Sequence, residues 1–134
     1  MPDLYLQIRV LVVDCNRDAA EILGILLQAH GFSTQVECGK AEALKVAQTF
    51  RPDAVLIDLG YHTLETYELA AALRSNPDLP DVFLVTLADY LPTPFVAPDF
   101  RIDLRLTKPT GYRTLVEALQ RHFLPGLKAD KALR

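Results

Sequence analysis

Three short runs in this chain are almost wholly apolar, and each ends on a polar residue: Val10-Leu11-Val12-Val13 before Asp14, Ala54-Val55-Leu56-Ile57 before Asp58, and Val82-Phe83-Leu84-Val85 before Thr86. Unbroken runs of this length suit strands covered on both faces, as in a parallel sheet flanked by helices. A further strand, Ile102 to Thr107, alternates and leads into Lys108. At the carboxyl ends of parallel strands, side chains converge on one crevice, where open α/β folds bind ligands. Two carboxylates, a hydroxyl and an ammonium meeting there suit a divalent cation and a phosphoryl group.

Helical periods separate these strands. Residues 17–30 place Ala19, Ile22, Leu23, Leu26 and His30 on one face, with Gly31 as the stop. Residues 40–50 are helical through Ala43, Leu44, Ala47 and Phe50, residues 64–75 through Leu69, Ala70 and Leu73, and residues 111–123 through Leu115, Ala118 and Leu119. Residues 32–38 alternate, with Phe32, Thr34, Val36 and Cys38 pointing one way. Ile102, Leu104 and Leu106 likewise oppose Asp103 and Arg105. The unbroken strands are therefore central and the alternating ones are edges. With right-handed crossovers this gives an α/β fold, a flavodoxin-like doubly wound five-stranded parallel sheet in the order 2-1-3-4-5. Its switch point lies between the strands that end in Asp14 and Asp58.

One crossover breaks the rhythm. Pro92, Pro94 and Pro98 fall where a fourth crossover helix is expected, and each costs roughly 3 kcal/mol inside a helix. That helix is expected to be shortened or lost. Residues 1–123 read as one domain and residues 124–134, with Pro125 and Gly126, as a frayed tail.

Composition narrows the class. Among 134 residues, 50% are hydrophobic and 23% charged, enough for a core and too apolar for wholesale disorder. A net charge of −3 argues against a nucleic-acid surface. No apolar run approaches the ~20 residues that span a bilayer, and the N-terminus lacks signal-peptide character, so a cytoplasmic location without membrane contact is expected. Cys15 and Cys38 have no zinc-type spacing and read as two reduced thiols. Both end adjacent strands, but a reducing cytoplasm disfavours a bridge between them.

The segments Val10 to Asp18, Arg51 to Asp58 and Lys108-Pro109 together resemble the receiver domain of two-component response regulators, over residues 9–123. The resemblance implies that Asp58 is the phosphoacceptor, a carboxylate nucleophile that forms an aspartyl phosphate. It implies that Lys108 and Thr86 contact the phosphoryl group. It implies a Mg²⁺ held by Asp14, Asp58 and the backbone carbonyl of Gly60, and a cis bond between Lys108 and Pro109. The partners it implies are a histidine kinase or phosphotransfer protein and an effector protein or domain.

Several positions depart from the family pattern. Cys15 stands where the resemblance implies a second acidic metal ligand, and a thiol suits softer metals than Mg²⁺. Leu87 replaces a small residue beside Thr86, Tyr61-His62 and Glu65-Thr66 replace the usual loop residues, and Arg105 stands where a switch aromatic is common. The expected function is a phosphoryl-accepting signalling receiver with weakened Mg²⁺ binding, not an enzyme beyond slow autodephosphorylation. The alternative is a pseudo-receiver that binds partners independently of phosphorylation. A haloacid-dehalogenase-type phosphohydrolase needs a second acid two residues after its nucleophile, and Asp58 is followed by Leu59-Gly60. A flavodoxin needs a Ser/Thr/Gly-rich phosphate loop, and Cys15-Asn16-Arg17-Asp18 is too acidic and bulky.

Overall fold

The computed structural model describes residues 8–58, 64–79, 81–88, 101–108 and 111–123. The described elements, in chain order, are β1 (Arg9–Asp14), α1 (Arg17–Ala29), β2 (Ser33–Glu37), α2 (Lys40–Phe50), β3 (Ala54–Asp58), α3 (Leu64–Arg74), β4 (Phe83–Ala88), β5 (Leu104–Thr107) and α4 (Tyr112–Phe123). The strands form one five-stranded sheet in the order β2-β1-β3-β4-β5, and every pairing is parallel. The order expected from unbroken and alternating runs is therefore the one found.

The period-2 alternation of the central strands divides the core in two. Val10, Val12, Leu56 and Val85 pack with Ala20 and Leu27 of α1 and with Leu115, Val116 and Leu119 of α4. Leu11, Val13, Val55, Ile57 and Leu84 pack on the other face with Ala43 and Ala47 of α2 and Leu69, Ala70 and Leu73 of α3. Truncating a fully buried leucine such as Leu56 or Leu84 to alanine costs about 2–5 kcal/mol through lost transfer energy and the cavity left behind.

Helix boundaries follow local chemistry. Asn16 caps α1, its Oδ1 accepting from the Ala19 amide at 3.2 Å. Gly31, at φ 95°, supplies the left-handed residue that ends α1. α2 begins at Gly39, which has φ 89° and no side chain with which to cap. The Lys40 amide is satisfied instead by Glu65 Oε2 at 3.2 Å, so α3 caps α2 from outside.

The structure corrects five expectations. The buried face of α1 is Ala20, Gly24 and Leu27. Of the face expected there, Leu23 is half-buried and packs on the core, while Ile22 is 59% exposed. The helix carries two apolar stripes, and only one meets the sheet. On α4 it is Val116, not Ala118, that joins Leu115 and Leu119 in the core. β4 does not stop at Thr86 but continues through Leu87 and Ala88, because its ladder with β5 runs on past the end of its pairing with β3, through Leu106 and Thr107. Ile102 precedes β5 and packs on the opposite face from Leu104 and Leu106, following Arg101 in the left-handed region at φ 57°. Finally, Cys15 and Cys38 are joined in a disulfide. Cys15 follows the last residue of β1 and Cys38 the last of the adjacent parallel strand β2, offset by one residue in register, and their Cα atoms lie 4.4 Å apart, so strand geometry brings the two thiols within bridging distance.

The proline-bearing crossover, Gly60, His62, Pro109 and the segment 124–134 all lie outside the described residues.

Candidate functional site

The register of the three central strands assembles the site. Asp14 pairs with Asp58 at the carboxyl ends of β1 and β3. Ile57 pairs with Thr86, so Leu87 falls beside Asp58 in the next row. Lys108 follows β5 at the same end of the sheet. Its Nζ lies 2.7 Å from Asp58 Oδ1, with side-chain exposures of 35% for Lys108 and 14% for Asp58. Asp14, Asp58, Leu87 and Lys108 line one groove, whose apolar flank is Ile22, Leu23 and Leu26 of α1 with Tyr112 and Leu115 of α4. The unused stripe of α1 therefore borders the acidic pair.

Asp14 is held between two influences. Burial pushes its carboxyl above the ordinary range, and the Asn16 amide, 2.9 Å from Oδ1, pulls it back. The charge of Asp58 raises it further, and the ammonium of Lys108 lowers it. Two carboxylates side by side repel each other when both are ionised, and a divalent cation relieves that repulsion.

Thr86 joins the group only in part. It is 2% exposed, its neighbours Val85 and Leu87 belong to the α1–α4 face, and alternation sends its own side chain to the other side of the sheet. Its Oγ1 is buried with no hydrogen-bond partner among the described residues. Leu87, not Thr86, lines the groove.

The donors fit a hard divalent cation as a two-carboxylate site. Asp14 and Asp58 offer oxygen ligands of the kind Mg²⁺ takes. Among the described residues, no group of three or more His, Cys, Asp or Glu side chains is placed to hold a metal. Cys15, where the resemblance implies a further ligand, is joined in the disulfide, and a disulfide sulfur is no ligand for Mg²⁺. The cross-link lies on the β2 side of Asp14, beside Arg17, Glu37 and Glu42.

Sequence reading missed the clamp at the opposite end of β4. Arg74 donates to the carbonyls of Val82 and Arg101 and pairs with Asp103 at 2.6 Å, while Asp103 Oδ2 also accepts from the Leu84 amide at 2.8 Å. A lone basic residue at a helix end gives no sign of this, because its partners are 8 to 29 residues away.

The model of the response regulator receiver domain matches residues 10–120. The chain belongs to that family. As a receiver it falls among signalling modules that are generally non-enzymatic, work with histidine kinases and typically bind Mg²⁺. It is 36% identical over 81 residues to the DNA-binding response regulator MtrA of Mycobacterium tuberculosis, covering 60% of this chain and 36% of MtrA. It is 31% identical over 123 residues to the response regulator MprA of Mycobacterium bovis, covering 78% of this chain and 54% of MprA. The receiver thus spans about a third to a half of these relatives. Among solved structures, chemotaxis response regulator CheY4 of Vibrio cholerae superposes with a TM-score of 0.75 at 23% identity, over 85% of this chain and 97% of that one. The signal receiver domain of a histidine kinase from Syntrophus aciditrophicus gives 0.74 at 25% identity, over 90% and 92%. Among the described residues no helix is long and apolar enough to cross a membrane.

Proposed function

We propose that this receiver accepts a phosphoryl group on Asp58 from the phosphohistidine of a histidine kinase or phosphotransfer protein and passes the change to an effector protein or domain in the cytoplasm. The observation that carries this reading is the ion pair between Lys108 and a carboxylate that is only 14% exposed yet opens onto a groove. An Asp58 carboxylate oxygen attacks phosphorus in line, the phosphorus–nitrogen bond breaks, and the departing imidazole takes a proton. The Lys108 ammonium stabilises negative charge gathering on the phosphoryl oxygens. Asp14 and Asp58, with the Gly60 carbonyl, would hold Mg²⁺, which when bound neutralises charge on the transferring group. With Cys15 in a disulfide the protein supplies one carboxylate fewer than the family pattern, so Mg²⁺ binding is weak. The Thr86 hydroxyl is buried with no hydrogen-bond partner among the described residues, and it would have to turn toward the groove to donate to a phosphoryl oxygen.

A second reading is favoured by Leu87, which lines the groove in the row beside Asp58 and narrows the room for a phosphodonor: a pseudo-receiver that binds its partner without phosphorylation. The two separate in one experiment. Incubation with acetyl phosphate and Mg²⁺ should add one phosphoryl mass to the wild type and none to Asp58→Asn. Equal partner binding by both proteins, with no adduct on either, would establish the second reading.

A further inference from the structure

The Cys15–Cys38 cross-link is solvent-exposed at both residues and joins the turn that follows Asp14 to the turn that starts α2. Disulfides usually staple small domains whose cores are too poor to stand alone. Here two full hydrophobic layers cover the sheet, so the core does not need the staple. Exposed disulfides are open to thiolate attack and are typically the labile, regulatory ones.

We propose that Cys15–Cys38 is a reversible thiol–disulfide modification site whose oxidation state sets the order of the acidic pocket. Its reaction partner is a dithiol of small-molecule or protein origin. One thiolate attacks a protein sulfur, the Cys15–Cys38 bond breaks, and a mixed disulfide forms. The second thiol of the partner resolves it, leaving two protein thiols and an oxidised partner; two electrons and two protons pass to the protein. The reverse step uses a disulfide as oxidant.

The coupling to the site runs through three adjacent residues. Asp14 accepts from the Asn16 amide at 2.9 Å, and Asn16 in turn caps α1, so Cys15 sits inside a turn that orients the Asp14 carboxylate. On the other side Gly39 follows Cys38, and α2 is tied to α3 through Lys40 with Glu65 and Glu68. The cross-link thus anchors the Asp14 turn to the α2–α3 face. Reduction frees that turn. The effect on phosphorylation rests on the Asp58 reading above, whereas the effect on the turn does not.

The test uses the full chain and dithiothreitol. Alkylation followed by mass measurement should find no free thiol in the oxidised protein, two after dithiothreitol, and none again after oxidised dithiothreitol, with the protein folded throughout. Two free thiols without reductant, or thiols that appear only on denaturation, would overturn the proposal. Hydrogen exchange at the Asn16 amide should quicken by about 10-fold on reduction; an unchanged rate would overturn the coupling. Cys38→Ser should reproduce the reduced behaviour and ignore dithiothreitol. The initial rate of Asp58 phosphorylation by acetyl phosphate should fall about 5-fold on reduction, and equal rates in the two states would overturn control of the site. If neither state is phosphorylated while Asn16 exchange still responds, the redox site stands and the phosphoacceptor reading fails.

Discussion

Lys108 reaches Asp58 across β4, with Nζ 2.7 Å from Oδ1, so one ion pair ties the end of the edge strand β5 to the end of the central strand β3. The pair is partly shielded, and removing its cation leaves a carboxylate with little exposure and a second carboxylate opposite. Lys108→Ala should therefore slow phosphorylation of Asp58 by about 100-fold, the scale on which loss of one preorganised donor acts. Rates with acetyl phosphate, compared with Lys108→Arg, check this; a change under 3-fold would remove Lys108 from the chemistry.

Asp14 gives a pH signature. Its folded carboxyl lies above the ordinary range, chiefly through burial, so the folded state holds a proton more tightly than the unfolded one. The stability from that proton is complete below the ordinary value of about 3.9 and is lost as pH rises through the raised folded value. Asp14→Asn removes the loss. It should raise the melting temperature near neutral pH and confer no gain in acid, which melting curves across the range would show. A gain independent of pH would mean that the carboxylate is not the cause.

Cys15→Asp restores a third carboxylate but also breaks the disulfide. Compared with Cys38→Ser, which breaks it alone, Cys15→Asp should bind Mg²⁺ about 10-fold more tightly, or about 1.4 kcal/mol. Calorimetric titration decides; equal affinity in the two variants would mean that position 15 does not set Mg²⁺ binding.

Arg74 has a side chain only 10% exposed and makes four hydrogen bonds to three acceptors: the Val82 carbonyl just before β4, and the Arg101 carbonyl and Asp103 carboxylate on the segment leading into β5. Arg74→Ala removes the cation from the half-exposed Asp103 carboxylate, which keeps the Leu84 amide, and leaves two carbonyls without this donor, at a cost of about 2 kcal/mol. Urea unfolding measures it. Arg74→Lys should recover only part, because one ammonium cannot serve all these acceptors.

Much of the fold was legible because strand burial is written in the pattern itself. Val10 to Val13, Ala54 to Ile57 and Phe83 to Val85 are buried on both faces and are central, whereas β2 and β5 alternate and sit at the edges. The ends were less legible. Thr86 looked terminal because it was the first polar residue after an apolar run, yet pairing with β5 carries β4 to Ala88 after its pairing with β3 has ended. α1 misled because Ile22 and Leu26 satisfy the helical period as well as Leu27 does, and sequence alone cannot say which stripe faces the sheet. The convergence of Asp14, Asp58 and Lys108 followed from strand register, which fixes neighbours once order is known. The disulfide was missed because compartment was weighed above geometry, although residues just past paired strand ends lie within bridging distance.

The most direct test of phosphoryl acceptance is where an adduct forms. After incubation with acetyl phosphate and Mg²⁺, reduction with borohydride converts an aspartyl phosphate to homoserine, and peptide mass spectrometry locates it. Homoserine is expected at Asp58 in the wild type, with no modified peptide in Asp58→Asn. Modification at another residue that persists in Asp58→Asn, or none in the wild type in either redox state, would contradict it.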